Sequence, residues 1–259
     1  MRIKLAELSD NSSEVVFLES LCYNEKTWGK EGNMIKKVAI AGLQLDNYTV
    51  RESIMEIERN LSNGVFNTVE DVSMDMIVAA EEDPKIKDLL ENLDHTLISE
   101  VGVLKAVSEV SIQRKHEIEN NDFYTEFMKR VARNHKQVYV LGQDRETVDE
   151  ACQRIQKEFP KCEIIGTGAL DDTAGASEAV VNDINTVAPD VVLSVIPSPA
   201  QEYFLMENKD KLGANLWYGM GKVEKKRKGI LGALQRTAKC HRFARFVHQM
   251  DRKATTNEP

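Results

Sequence analysis

The sequence predicts an α/β fold: a Rossmann-like parallel sheet with helices on both faces, extended at its C-terminus by a basic helical segment. Short apolar runs, most of them ended by glycine, recur through residues 137–219. Between them lie segments whose apolar residues return at helical spacing. Near-continuous apolar strands alternating with amphipathic helices describe strands buried on both faces, the pattern of a parallel sheet. A sharp rise in Lys and Arg after Gly221 predicts the extension.

Residues 1–34 are polar and irregular and read as an N-terminal extension, with a linker-like Gly/Asn stretch at 28–33. Lys37-Val38-Ala39-Ile40-Ala41-Gly42 is a β-type run closed by glycine. Residues 49–61 then set Val50, Ile54, Ile57 and Leu61 at helical spacing, with Thr49 as N-cap and Ser62-Asn63-Gly64 as the stop. Together they read as the opening of a βα unit. Residues 74–93 predict helix broken at Asp83-Pro84, because proline suits the first turn of a new helix. Thr96-Leu97-Ile98 is a short apolar run, 101–110 a helix, and Phe123, Phe127 and Val131 mark one face of another.

The clearest alternation follows. Residues 138–142 form a strand; Asp144 caps a helix with the stripe Val148, Cys152, Ile155 and Phe159; Pro160 closes it. Strands at 162–166, 190–196 and 214–218 alternate with helices at 176–187 and 201–208. The α/β domain therefore spans 35–222, and 223–259 is a basic appendage.

A chain of 259 residues suits one large domain or two small ones sharing a core. A net charge of -8 argues against a protein that coats nucleic acid. The four cysteines show no CxxC or Cys/His ligand spacing, which fits a reduced cytosolic protein without structural zinc. The N-terminus lacks a signal-type apolar core, and no stretch approaches the roughly 20 apolar residues of a membrane span. The expectation is a cytoplasmic protein whose membrane contact, if any, is at the surface.

In open α/β sheets ligands bind beyond the carboxyl ends of the strands. Gly142-Gln143-Asp144, residues 197–202 and Gly219-Met220-Gly221-Lys222 lie there. Glycine lets the backbone approach a phosphate, and the following helix N-terminus offers unpaired N–H groups, which suits the pyrophosphate of a nucleotide sugar. Gly142 and Gly219 read equally well as turn glycines. Neither a full GxGxxG nor a P-loop is present, which argues against a dinucleotide oxidoreductase or a P-loop NTPase.

The order of these segments resembles the WecB/TagA/CpsF glycosyltransferases. The strand at 138–142 resembles their glycine-ended strand, and Phe159-Pro160 with Ile164-Ile165-Gly166 their "yP…ivG" step. Residues 181–185 and 189–195 are similar to their "I-N…a-d-i-l-l-V" segment, Pro199-Ala200-Gln201-Glu202 to Pro-Lys-Gln-Glu, and Gly219-Met220-Gly221 to their glycine-rich turn. Residues 38–46 resemble their opening strand and 98–106 their "I-P-D-G-I-G-V" segment, so the resemblance runs over about 37–228. It implies transfer of an N-acetylmannosamine-type sugar from UDP to a polyprenyl-diphosphate-linked sugar at the membrane surface, in cell-surface polysaccharide synthesis. It also implies a carboxylate base in the "P-D-G" segment. The acceptor hydroxyl must lose a proton as the bond forms, and the leaving UDP needs its charge met by N–H groups and basic side chains.

That segment here reads Ile98-Ser99-Glu100-Val101-Gly102. Aligned without a gap, Ser99 takes the aspartate's place; with a one-residue gap, Glu100 supplies the carboxylate. Glu100 also reads as a solvated loop acid. The family's Thr-Pro-Asn corresponds to Asp71-Val72-Ser73, its arginine to Glu117, its Asp-Leu to Asp122-Phe123, and the lysine of Pro-Lys-Gln-Glu to Ala200. The resemblance thus assigns Glu100 or Ser99 to catalysis. It assigns Ser73, Asp122, Gly142, Gln143, Gln201, Glu202, Gly219 and Gly221 to the substrates. Gln201 and Glu202 read alternatively as the start of a helix. Neither a metal nor a cofactor is called for. Two functions stay open: a divergent glycosyltransferase, or a non-catalytic relative binding a nucleotide sugar or a protein.

In the appendage Lys225, Lys226, Arg227, Arg236, Arg242 and Arg245 interleave with Ile230, Leu234, Phe243, Phe246 and Val247 at mostly helical spacing. A basic amphipathic helix suits an anionic membrane surface. It reads equally as a core-packing helix with a solvated basic face. Nucleic acid is the weakest reading, since aromatic interleaving is sparse. Homo-oligomerisation is a further way to cover the apolar face.

Overall fold

The computed structural model describes residues 37–170, 175–221 and 230–256. The first described element departs from the βα opening expected there. Strands β1 (Lys37–Ile40) and β2 (Leu43–Asp46) pair antiparallel as a hairpin, with Ile40 opposite Leu43. The two turn residues, Ala41 and Gly42, have φ of 47° and 76°. Positive φ at both central positions matches the twist of a two-residue hairpin. Ala-Gly is a weaker announcement of that turn than Asn-Gly, which is why the run reads as a lone strand. Thr49 does cap the next helix, α1 (Val50–Asn60), in a reciprocal capping box with Glu52.

The main sheet holds six parallel strands in the order β4-β3-β8-β7-β5-β6. They are β3 (Asn67–Val72), β4 (His95–Ile98), β5 (Gln137–Gly142), β6 (Glu163–Ala169), β7 (Val191–Ser194) and β8 (Leu216–Gly219). The helices between them are α2 (Met74–Glu82), α3 (Pro84–Glu91), α4 (Val101–Ala106), α5 (Ile112–Asn120), α6 (Asp122–Arg133), α7 (Arg145–Glu158), α8 (Ala176–Val187) and α9 (Ala200–Asn208). One face of the sheet is covered by α1, α6 and α7, through Ile57, Phe127 and Ile155 among others. The other is covered by α3, α8 and α9, through Leu89, Ile184 and Leu205. Alternate strand residues serve the two faces: Val138 and Val140 the first, Tyr139 and Leu141 the second. The Rossmann-like expectation holds. Strand β3 is not predicted, because Glu70-Asp71 interrupts its apolar pattern; α5 is not predicted either, and none of its residues is buried.

A third apolar cluster joins the hairpin, α2, α3 and α4 to the last helix, α10 (Ile230–Thr256). Phe243 and Val247 are buried in it, and Cys240, Phe246 and Met250 pack along its edge. Helices α4 and α10 approach closely at Gly102, where a Cβ would lie 3.0 Å from the Cys240 Sγ. Lys239 fixes the contact with ion pairs to Asp75 (2.8 Å) and Glu100 (2.9 Å). Arg236, Arg242 and Arg245 are exposed. The described part of this segment thus packs one face on the core and leaves a basic face solvated. The N-terminal extension, and Lys225, Lys226 and Arg227, lie outside the described residues. Within them, no helix is long and apolar enough to cross a membrane.

Candidate active site at the strand tips

Strands β8, β7 and β5 are neighbours, so the three segments singled out in the sequence end side by side. The Met220 amide donates to the Ser194 carbonyl (2.9 Å), and the Val195 amide to the Leu141 carbonyl (2.8 Å), tying each tip to the next. At Gly142, the last residue of β5, a Cβ would lie 2.7 Å from the Val148 Cγ2 of α7. Its smallness thus serves strand–helix packing. Beyond it, Asp144 accepts from the Thr147 amide as N-cap, and the buried Gln143 Oε1 has no hydrogen-bond partner among the described residues. Gly219 has a different reason to be glycine: a Cβ would lie 2.6 Å from Gln201 Nε2 and 2.9 Å from Glu70 Cγ. Gly221 adopts a φ of 63°, and its amide donates to Gln201 Oε1 (3.2 Å).

Behind these tips lies a buried acidic pair that the sequence reading half missed. Glu70 of β3 and Glu202 of α9 are both fully buried. Trp217 Nε1 donates to Glu70 Oε1 (2.9 Å); among the described residues Glu70 Oε2 has no partner at hydrogen-bond geometry, although the nearby Gln201 carboxamide partly offsets its burial. Among the described residues neither Glu202 oxygen has a partner at hydrogen-bond geometry, although the nearby Ser198 hydroxyl and its own amide partly offset the burial. Burial first, then the charge of Glu202, push the Glu70 carboxyl well above the ordinary glutamate range; burial raises Glu202 as well. Two carboxylates in one dry site cannot both ionise cheaply, so the protonated form of Glu70 is favoured to higher pH than for an ordinary glutamate. Glu202 is therefore an interior group beneath the tips.

One strand further along, an open recess lies against the ends of β3 and β4, walled by α1, α5 and α6. Asp46, Tyr48, Asp71, Ser99, Arg114, Glu117, Asn121 and Phe123 line it. Arg114 pairs with Glu117 at 2.7 Å, and Glu117 also accepts from the Val50 amide (3.3 Å). Asp46 is held by Lys37 (2.7 Å) and by the Thr96 amide (2.9 Å) and hydroxyl (3.0 Å). His95, 3.6 Å from Asp46, is buried and stays neutral, its pKa lowered to about 4 by burial. Asp71 is crowded by protein but keeps an accessible edge on the recess. Its Oδ1 accepts from the Tyr218 hydroxyl at 3.2 Å.

The other sequence-predicted residues fall as follows. Ser99 lines the recess, and its hydroxyl donates to the Val72 carbonyl (3.1 Å). Glu100 is not among the lining residues: Oε2 accepts from the Met74 amide (2.7 Å) and Oε1 pairs with Lys239 of α10. Ser73 caps α2 by accepting from the Met76 amide. Asp122 starts α6 between the lining residues Asn121 and Phe123. Asp71, Arg114 and Asp46 were not singled out. No local signal marks Asp71, because the apolar residues around it, Val65, Phe66, Val69 and Val72, do not alternate as those of a half-buried strand do.

A family model described as "Glycosyl transferase WecG/TagA/CpsF family" matches residues 38–224. The chain is also similar to the N-acetylglucosaminyldiphosphoundecaprenol N-acetyl-beta-D-mannosaminyltransferases of Staphylococcus aureus strains NCTC 8325 / PS 47 and COL. Each is 23% identical over 194 residues, which cover 74% of this chain and 76% of the relative. The matched residues begin in the hairpin, take in the whole parallel sheet and include every strand tip described above, so the chain belongs to the WecG/TagA/CpsF family of glycosyl transferases.

Proposed function

We propose that the protein transfers an N-acetylhexosamine-type sugar from a UDP-sugar to a polyprenyl-diphosphate-linked acceptor in cell-surface polymer synthesis. The observation that carries this reading is the coincidence of the family match with a sheet whose tips border a polar recess. The relatives' names specify an N-acetylglucosaminyl-diphosphoundecaprenol acceptor and an N-acetylmannosaminyl group. In this reading the tips of β5, β7 and β8 take the nucleotide. Gln143 Oε1, buried with no donor among the described residues, would accept from a uracil or ribose group. The recess beside β3 and β4 takes the reacting sugars, and Arg114 offers a charge to the diphosphate. No resident metal or cofactor is invoked. The protein would work at the cytoplasmic face of the membrane, with Arg242 and Arg245 of α10 toward anionic headgroups.

A non-catalytic, nucleotide-sugar-binding role is favoured by one observation, the engagement of Glu100 with Met74 and Lys239. Incubation with UDP-N-acetylmannosamine and a GlcNAc-diphospholipid separates the two readings. Release of UDP with formation of a disaccharide lipid is expected. UDP binding by calorimetry without turnover would favour the binding role, and no uridine nucleotide binding at all would remove both.

A further inference from the structure

We propose that Asp71, at the tip of β3, is the general base that deprotonates the acceptor hydroxyl, a task that neither Ser99 nor Glu100 is placed to perform. The inference rests on the glycosyl-transfer reading above. In the step it serves, the acceptor oxygen bonds to the sugar's anomeric carbon as the bond from that carbon to the UDP oxygen breaks. The bonding pair leaves with UDP, and the acceptor proton passes to the Asp71 carboxylate.

Elimination within the recess leads to this residue. Of the carboxylates that line it, Asp46 is saturated by Lys37 and Thr96, and Glu117 by Arg114, Gln113 and the Val50 amide. Asp71 accepts one hydrogen bond, at Oδ1, and among the described residues its Oδ2 has no partner. The donor is itself well fixed: the Tyr218 ring is packed edge-on by Phe123 (5.6 Å) and Phe127 (5.2 Å). Tyr218 therefore orients Asp71 and leaves one oxygen for the substrate. Ser99 cannot serve, since its hydroxyl proton is committed to Val72, and Glu100 points to α2 and α10. Burial lifts the Asp71 pKa to about 7, partly offset by the Tyr218 hydrogen bond. A base titrating near the working pH balances ionisation against basicity.

The test compares wild type, Asp71→Asn and Tyr218→Phe in transfer from UDP-N-acetylmannosamine to a GlcNAc-diphospholipid between pH 5 and 9. Asp71→Asn is expected to lose about 10²–10⁴-fold in kcat while binding UDP as wild type does. Its thermal unfolding at pH 8 should come no earlier, because burial disfavours the charge it removes. Wild-type kcat/KM should fall on the acid side with a midpoint near 7, and Tyr218→Phe should move that limb to higher pH. Asp71→Asn with kcat within about threefold of wild type overturns the assignment while leaving the glycosyltransferase reading intact. So does an acid limb that persists in Asp71→Asn and vanishes in Glu100→Gln. A wild type that binds UDP yet transfers no sugar overturns both.

Discussion

Glu70 shows how much one buried residue can reveal. A glutamate inside a parallel strand is tolerable when it stays protonated, because a neutral carboxyl meets the hydrogen bond from Trp217 without the desolvation cost of a charge. The folded protein therefore keeps a proton that the unfolded chain releases near the ordinary value of 4.5. The unfolded state binds fewer protons above that value, so stability is lost as pH rises, until the folded-state carboxyl itself ionises. Glu70→Gln replaces the protonated acid with a neutral group of the same shape. We expect similar melting temperatures for variant and wild type at pH 4 and a growing advantage for the variant from pH 5 to 8. Parallel melting curves across that range would show that Glu70 ionises in the fold.

Among the elements, the β8–α9 junction is the least tolerant. Gly219 must lack a side chain because Gln201 crosses it to reach Gly221, with Glu70 on its other flank. Gly219→Ala would push the Gln201 carboxamide off the Gly221 amide and crowd Glu70. Overpacking of this kind costs about 1–3 kcal/mol. Because the displaced group lies at the proposed nucleotide site, UDP affinity should fall together with the melting temperature. A fall in melting temperature with unchanged UDP affinity would place the nucleotide elsewhere. The hairpin makes the complementary point: β1 and β2 pair only with each other, buttress α2, α3 and α4, and meet the main sheet through the Asp46–Thr96 hydrogen bonds to β4.

For the whole molecule, the last helix decides how a membrane could be met. Phe243 and Val247 are spent on the core, so the face left over is basic. Contact with lipid would then be electrostatic, with each nearby Arg contributing on the order of 1 kcal/mol. The double substitution Arg242→Glu, Arg245→Glu is expected to reduce flotation with phosphatidylserine-containing liposomes and to leave the fold unchanged. Wild-type binding should weaken in high salt, which shortens the screening length from about 8 Å to about 3 Å. Flotation that resists salt and survives both substitutions would point to apolar insertion by another segment.

Much of the architecture was legible in the residues themselves. The strands from 137 to 219 and their helices announce themselves because a strand buried on both faces must be apolar throughout and a covering helix on one side only. Caps such as Thr49 and Asp144 are local chemistry and read correctly. That Gly142, Gln201 and Gly219 lie beyond the carboxyl ends of strands followed from chain order, whereas the adjacency of β5, β7 and β8 is set by the sheet. Strand β3 and its acids did not: they make sense only against Trp217 and Tyr218, 147 residues away along the chain. Nor could sequence spacing show Glu100 turned toward Lys239, 139 residues further on. Local pattern determines which segments become strands and helices, because backbone geometry and one-sided burial act over a few residues. Which carboxyl faces the recess and which is tied to a distant helix is a matter of long-range packing, and only the tertiary structure decides it.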